Sequence, residues 1–134
     1  TWKYIVPQAP IADWTAASFD DSNWLSGPSG FGYGDNDDNT VLSQASSVFL
    51  RKTFQIGNLA DLEQGILHMD YDDGFIADLN GTEIARSNLA SSDFDAFASP
   101  DHEAQLYSGG SPEAFDLSDF SSILTAGENV LCVQ

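Results

Sequence analysis

Tyr71-Asp72-Asp73-Gly74-Phe75-Ile76-Ala77-Asp78-Leu79-Asn80-Gly81-Thr82-Glu83-Ile84-Ala85-Arg86 reads as a bend, a strand, a tight turn and a return strand. Phe75, Ala77 and Leu79 recur at every second position, the period of a strand with one face inward. Asn80-Gly81 suits a two-residue type I′ turn, in which both central residues take φ > 0. The segment therefore predicts an antiparallel hairpin. Two adjacent carboxylates, Asp72 and Asp73, stand before Gly74 at its mouth.

Outward from the hairpin, residues 66–71 place Leu67, Met69 and Tyr71 on one face and His68 and Asp70 on the other. Residues 47–56 alternate Val48, Leu50, Phe54 and Ile56 with Phe49, Arg51, Thr53 and Gln55. Both patterns predict strands. Further strands are expected at 2–6, 82–86, 114–117 and 128–134. Ser118 is positioned to cap a short helix over 119–125, which Gly127 would stop. Residues 9–34 are rich in turn residues but punctuated by Trp14, Phe19, Trp24, Phe31 and Tyr33, which predicts an ordered loop pinned by its rings. Roughly seven or eight short strands with long connections indicate an all-β fold, an antiparallel β-sandwich of jelly-roll type with one short helix near the C-terminus.

The 134 residues have the size of a single domain, 1–134, and 42% hydrophobic content with nine Phe and three Trp supplies a core. No apolar run reaches the ~18 residues of a membrane span. No basic segment followed by an apolar one opens the chain, so a module of a longer secreted protein is expected. Lys3, Arg51, Lys52 and Arg86 oppose 21 carboxylates, for a net charge of −17. That balance disfavours nucleic acid and anionic membranes as partners, so neither is expected, since phosphate binding needs Lys and Arg to replace counterions. It favours a neutral glycan or a cation. Cys132 lies in an apolar run and reads as a buried, inert thiol.

A series of short elements resembles one family: Phe19-Asp20-Asp21-Ser22-x-Trp24, Gly30-Phe31-Gly32-Tyr33-Gly34-Asp35, Phe49-Leu50-Arg51-Lys52-Thr53-Phe54, Asp72-Asp73-Gly74-Phe75, Leu79-Asn80-Gly81, Phe115-Asp116-Leu117 and Ala126-Gly127-Glu128-Asn129-Val130-Leu131. Together they resemble the galactose-binding-domain-like modules of bacterial secreted multi-domain proteins. The first and last are also similar to the sugar-binding domain of β-galactosidase-type glycosidases. The resemblance implies a non-catalytic jelly roll that often carries a structural calcium ion and typically binds sugar.

The candidate residues follow from chemistry. Sugar rings stack their C–H faces on aromatic rings, and their hydroxyls need carboxylate, amide or guanidinium partners. Trp14, Tyr33 and Tyr71 are the aromatic candidates, with Tyr107 beside a loop. Asp72, Asp73 and Arg86 are the polar ones. Two readings of Asp72-Asp73 stand open: convergence on a ligand or cation, or one turn hydrogen bond plus an ion pair to Arg51 or Arg86. Asp35, Asp37, Asp38 and Asn39 offer oxygens in the pattern of a calcium loop, against the alternative of a solvated acidic turn. In Asp20-Asp21-Ser22-Asn23-Trp24, the acids and Ser suit a cap and Trp24 a clamp.

No nucleophile elbow, phosphate loop or zinc pattern occurs, and Asp101-His102-Glu103 reads as a surface loop. The expectation is not an enzyme but an extracellular, secreted or cell-surface carbohydrate-binding module. It would attach linked domains to a polysaccharide, with a bound calcium ion. The alternative is a structural or adhesive calcium-stabilised module without a glycan ligand.

Overall fold

The computed structural model describes residues 1–34 and 38–134. Its strands are β1 (Trp2–Ile5), β2 (Leu25–Gly27), β3 (Phe31–Gly32), β4 (Thr40–Val41), β5 (Phe49–Ile56), β6 (Ile66–Met69), β7 (Phe75–Leu79), β8 (Thr82–Ser87), β9 (Glu113–Asp116) and β10 (Gly127–Val133), with one short helix, α1 (Phe120–Ile123). A six-stranded sheet in the order β2-β1-β5-β10-β7-β8 dominates. Every neighbouring pair in it is antiparallel. β6 and β9 form a second, antiparallel pair. β3 and β4 form a short parallel one.

Alternation along the central strands divides the sheet into two covered faces. On one, Phe75, Ala77 and Val133 meet Leu67 of β6 and Tyr71, with Trp2, Leu50, Phe115 and Leu117 packed around them. Each large side chain buried there contributes about 1.5–3 kcal/mol. Opposite, Phe49 stacks on Trp14 with centroids 4.2 Å apart and planes 9° apart. Trp24 and Phe19 continue this cluster. Residues 7–24 are thus an ordered cover over the outer face.

Arg51 holds that cover in place. It is 2% exposed. Its Nε donates to Asp21 Oδ2 at 2.9 Å. Nη1 donates to the carbonyls of Trp14 and Ala16, and Nη2 to that of Phe19 at 3.4 Å. The guanidinium satisfies carbonyls that a loop cannot pair in a ladder. Cys132 sits under the same guanidinium, buried, and burial pushes its thiol up to about 12.

The hairpin forms as its turn residues require: Asn80 has φ 52° and Gly81 φ 83°. Its tip is anchored from β10. Asn80 Nδ2 donates to Asn129 Oδ1 at 2.8 Å, and Val130 N–H donates to Asn80 Oδ1 at 2.9 Å. Asn129 is fully buried and also bonds the Thr125 amide and carbonyl.

Several expectations are corrected. Phe49 and Arg51 are buried, so the first residues of β5 are covered on both faces, while Thr53 and Gln55 on the same alternation are exposed. Arg51 and Arg86 pair with Asp21 and Glu83, not with the Asp72-Asp73 mouth. The helix is confined to Phe120–Ile123; Asp119, not Ser118, occupies its cap position, and no side chain caps it. Gly127 does not stop the helix but opens β10, at φ 103°. The ring-pinned region also contains β2 and β3, strands too short to show a period.

Candidate functional site

The polar mouth of the hairpin is built by a loop that folds back onto it. Asp70, just past β6, accepts the Gln105 N–H on Oδ1 at 2.7 Å and the Leu106 N–H on Oδ2 at 3.1 Å. It thereby caps the short 3₁₀ turn Leu106–Ser108. The chain then reverses at Asp73, whose φ is 64°. Asp73 N–H donates to the His102 carbonyl at 2.7 Å, and Asp73 Oδ1 accepts the His102 N–H at 3.2 Å. Asn88 Nδ2 donates to the Asp73 carbonyl at 2.9 Å. Gly74 is required beside this knot: a Cβ there would lie 2.8 Å from both Ala98 Cβ and the Ser87 carbonyl.

Tyr71 is the post around which these segments gather. Its ring stacks on His102 with centroids 4.0 Å apart and planes 11° apart. Phe75 meets it edge-on. Its hydroxyl lies 2.7 Å from Glu113 Oε2 and 2.9 Å from Ser87 Oγ. A carboxylate only accepts, so Tyr71 donates to Glu113 and accepts from Ser87. Burial chiefly pushes the phenol above its usual range, and the Glu113 carboxylate adds to this.

Between bend, β8 end and returning loop lies a shallow cleft of about 630 Å³. Met69, Asp70, Tyr71, Asn88, His102 and Glu113 are among its lining residues. No Lys or Arg stands among the described residues of that lining. A smaller hollow of about 170 Å³ lies on the other face of the sheet, against Trp14, Phe49, Phe94 and Asp93.

The expected site residues are therefore dispersed. Tyr71 lines the cleft, but it is 7% exposed and one ring face is covered by His102. Asp73 fastens the loop behind the cleft. Asp72 is exposed on the bend, and its carbonyl accepts the Gly74 N–H at 3.0 Å. Trp14 belongs to the smaller hollow. Tyr33 is 45% exposed, beyond the end of β3. Arg86 is held by Glu83 through both Nε and Nη2 and donates to the Leu89 carbonyl from Nη1.

Of the expected calcium ligands, Asp35 and Asp37 lie outside the described residues. Asn39 Nδ2 donates to the Ser29 carbonyl at 3.1 Å. Asp38 sets its carboxylate where a Cβ on residue 32 would stand. Among the described residues, no group of three or more His, Cys, Asp or Glu is placed to hold a metal ion.

Sequence reasoning overlooked Asp70, Asn88 and Glu113, and it assigned His102 to a plain surface loop. Their signal is tertiary. Asp70 was legible only as an outward residue of a strand, and the loop 99–113 has no period that announces a fold-back.

No family model and no curated protein matches the chain. Solved structures do resemble it. A crystal structure of Bacteroides uniformis β-glucuronidase matches 99% of this chain and 13% of its own, with TM-score 0.60 and 14% identity. A calcium-binding mutant of B. uniformis β-glucuronidase 2 matches 98% of this chain and 13% of its own, with TM-score 0.58 and 16% identity. A glycosyl hydrolase family 2 member from Bacteroides cellulosilyticus matches 98% of this chain and 16% of its own, with TM-score 0.53 and 18% identity. At such identities the likeness is one of fold. The chain spans less than a fifth of each of these enzymes.

Proposed function

We propose that this chain is a non-catalytic carbohydrate-binding module with a jelly-roll β-sandwich fold, and that it holds linked domains of a secreted or surface protein against a neutral polysaccharide. The observation that carries the reading is the cleft at the hairpin mouth, with its ring edge, its side-chain oxygens and amides, and no Lys or Arg among its described lining residues. Polar groups converging on a shallow, partly aromatic surface suit a saccharide. The fold likeness to parts of bacterial glycosidases supports the same context. Of the expected contacts, Tyr71 lines the cleft and contributes an edge and not a face, whereas Asp72, Asp73, Tyr33, Trp14 and Arg86 stand outside its lining. Weak single-site binding would become useful through tethering and effective concentration.

Among the described residues, no helix is long and apolar enough to cross a membrane. The second reading is a structural module without a glycan ligand. It is favoured by one observation: Asp70 and Asp73 spend their carboxylates on backbone amides. A glycan array read with and without EDTA separates the two. Binding to a neutral glycan supports the first. Silence under both conditions, with a melting temperature that rises with calcium, supports the second.

A further inference from the structure

We propose that His102 is the residue through which the cleft reads its ligand, accepting a hydrogen bond from an uncharged sugar hydroxyl at Nε2. This deepens the carbohydrate reading above and rests on it. His102 Nδ1 lies 2.9 Å from the Tyr71 carbonyl. A carbonyl offers no proton, so Nδ1 carries the hydrogen; in the neutral tautomer this leaves a bare Nε2 lone pair. Nε2 has no protein partner among the described residues, and it is not sealed from solvent. The ring cannot swing to reverse this polarity. It is stacked on Tyr71, and its backbone is clasped from both sides by Asp73.

Much of the rest of the lining also accepts. Tyr71 and Ser87 spend their hydroxyl protons on each other and on Glu113. Asn88 and Gln105 each donate one of two amide hydrogens to a protein carbonyl. Asp101 and Glu113 add carboxylate oxygens to the wall. Such a cleft favours a ligand that brings donors and disfavours one that brings a carboxylate. Free sugar hydroxyls meet both conditions, whereas a uronic acid would face like charge without a compensating cation.

The experiment uses the whole chain. Long-range ¹H–¹⁵N spectra report the tautomer of His102 directly, and the Nδ1–H form is expected; an Nε2–H form overturns the proposal. Neutral gluco-, xylo- and galacto-oligosaccharides are then titrated beside oligosaccharides containing glucuronic acid. The His102 Nε2 signal is expected to shift with a neutral ligand. His102→Phe keeps the stack on Tyr71 and is expected to bind about three- to tenfold more weakly, as for one lost hydrogen bond. Neutral binding that leaves the Nε2 signal unmoved overturns the role of His102 while the carbohydrate reading stands. The signal also decides the matter if His102→Phe fails to fold. Glucuronic acid ligands that bind as tightly as neutral ones overturn the charge selection. A wild-type chain that binds none of the panel overturns both readings.

Discussion

Arg51 and Asp21, thirty positions apart, form an ion pair at 2.9 Å in which the arginine side chain is 1% exposed. The pair fastens the loop of residues 7–24 over the outer face of the main sheet. A buried cation that loses its partner keeps its desolvation cost without the compensating attraction. Arg51→Met instead removes the cation but orphans the carbonyls of Trp14, Ala16 and Phe19. Asp21→Ala is expected to cost about 3 kcal/mol and Arg51→Met about 3–5 kcal/mol. The double variant should cost less than the sum, because both remove one interaction. Urea unfolding midpoints check this, and strict additivity would refute the coupling.

The amide pair of Asn80 and Asn129 makes a second prediction. Asn129→Ala leaves the Thr125 amide and carbonyl without partners and takes from the Asn80 amide one of its two acceptors, the Ile123 carbonyl remaining. It is expected to cost about 3 kcal/mol. At position 80 two losses can be separated. Asn80→Gly keeps the positive φ and removes only the bonds, whereas Asn80→Ala removes both. Alanine should therefore be the more damaging by about 1 kcal/mol. Equal effects would mean that the turn conformation carries no cost.

The loop clasp can be tested by hydrogen exchange. Asp70→Ala removes the acceptor of the Gln105 and Leu106 amides. Those two amides should exchange much faster, while amides of β10 keep their protection. Uniform acceleration across the chain would instead mark Asp70 as a global stabiliser.

Cys132 gives a pH window. Its folded pKa is raised from 9.0 to about 12, chiefly by burial. For a group raised on folding, stability is fully present below the unfolded value and is lost as pH rises through the folded one. The thiol thus favours the folded state up to pH 9.0, and that contribution disappears towards about pH 12. Cys132→Ala should flatten this alkaline limb of the melting curve. At neutral pH the native thiol is expected to resist iodoacetamide until the chain unfolds.

Asp78 acts in the carboxylate range. Burial first, then the Glu83 charge, raises its pKa, and Arg86 opposes them. Its contribution is present at low pH and is lost as pH rises through the folded value. Asp78→Asn is therefore expected to raise the melting temperature at pH 7 and to lose that advantage in acid. A variant that melts lower at pH 7 would contradict the sign.

The elements legible in the sequence were those with local period or local turn chemistry. β5, β6, β7 and the Asn80-Gly81 turn follow from alternation and from φ > 0 preferences, and they fall where expected to within a few residues. What escaped is non-local. With 21 acids available, nothing local pairs Arg51 with Asp21 rather than with the hairpin mouth. β2, β3 and β4 are only two or three residues long, and a strand of that length is defined by its partner, not by its pattern. The cleft escaped for the same reason. Asp70, His102 and Glu113 meet only because an aperiodic loop is drawn back by carboxylate-to-amide bonds.

The anchored turn at Asn80 also governs how the molecule ages. In an unfolded chain an Asn-Gly step is prone to deamidation, because the glycine nitrogen can attack the neighbouring side-chain carbonyl and close a succinimide ring. Here that carbonyl is held by the Val130 amide, and its amide nitrogen by Asn129 and Ile123. The side chain is turned towards β10 and kept from the approach that ring closure requires. Chemical damage at this bond should accumulate only in molecules that have opened, so its extent in a stored sample records the time the chain has spent unfolded.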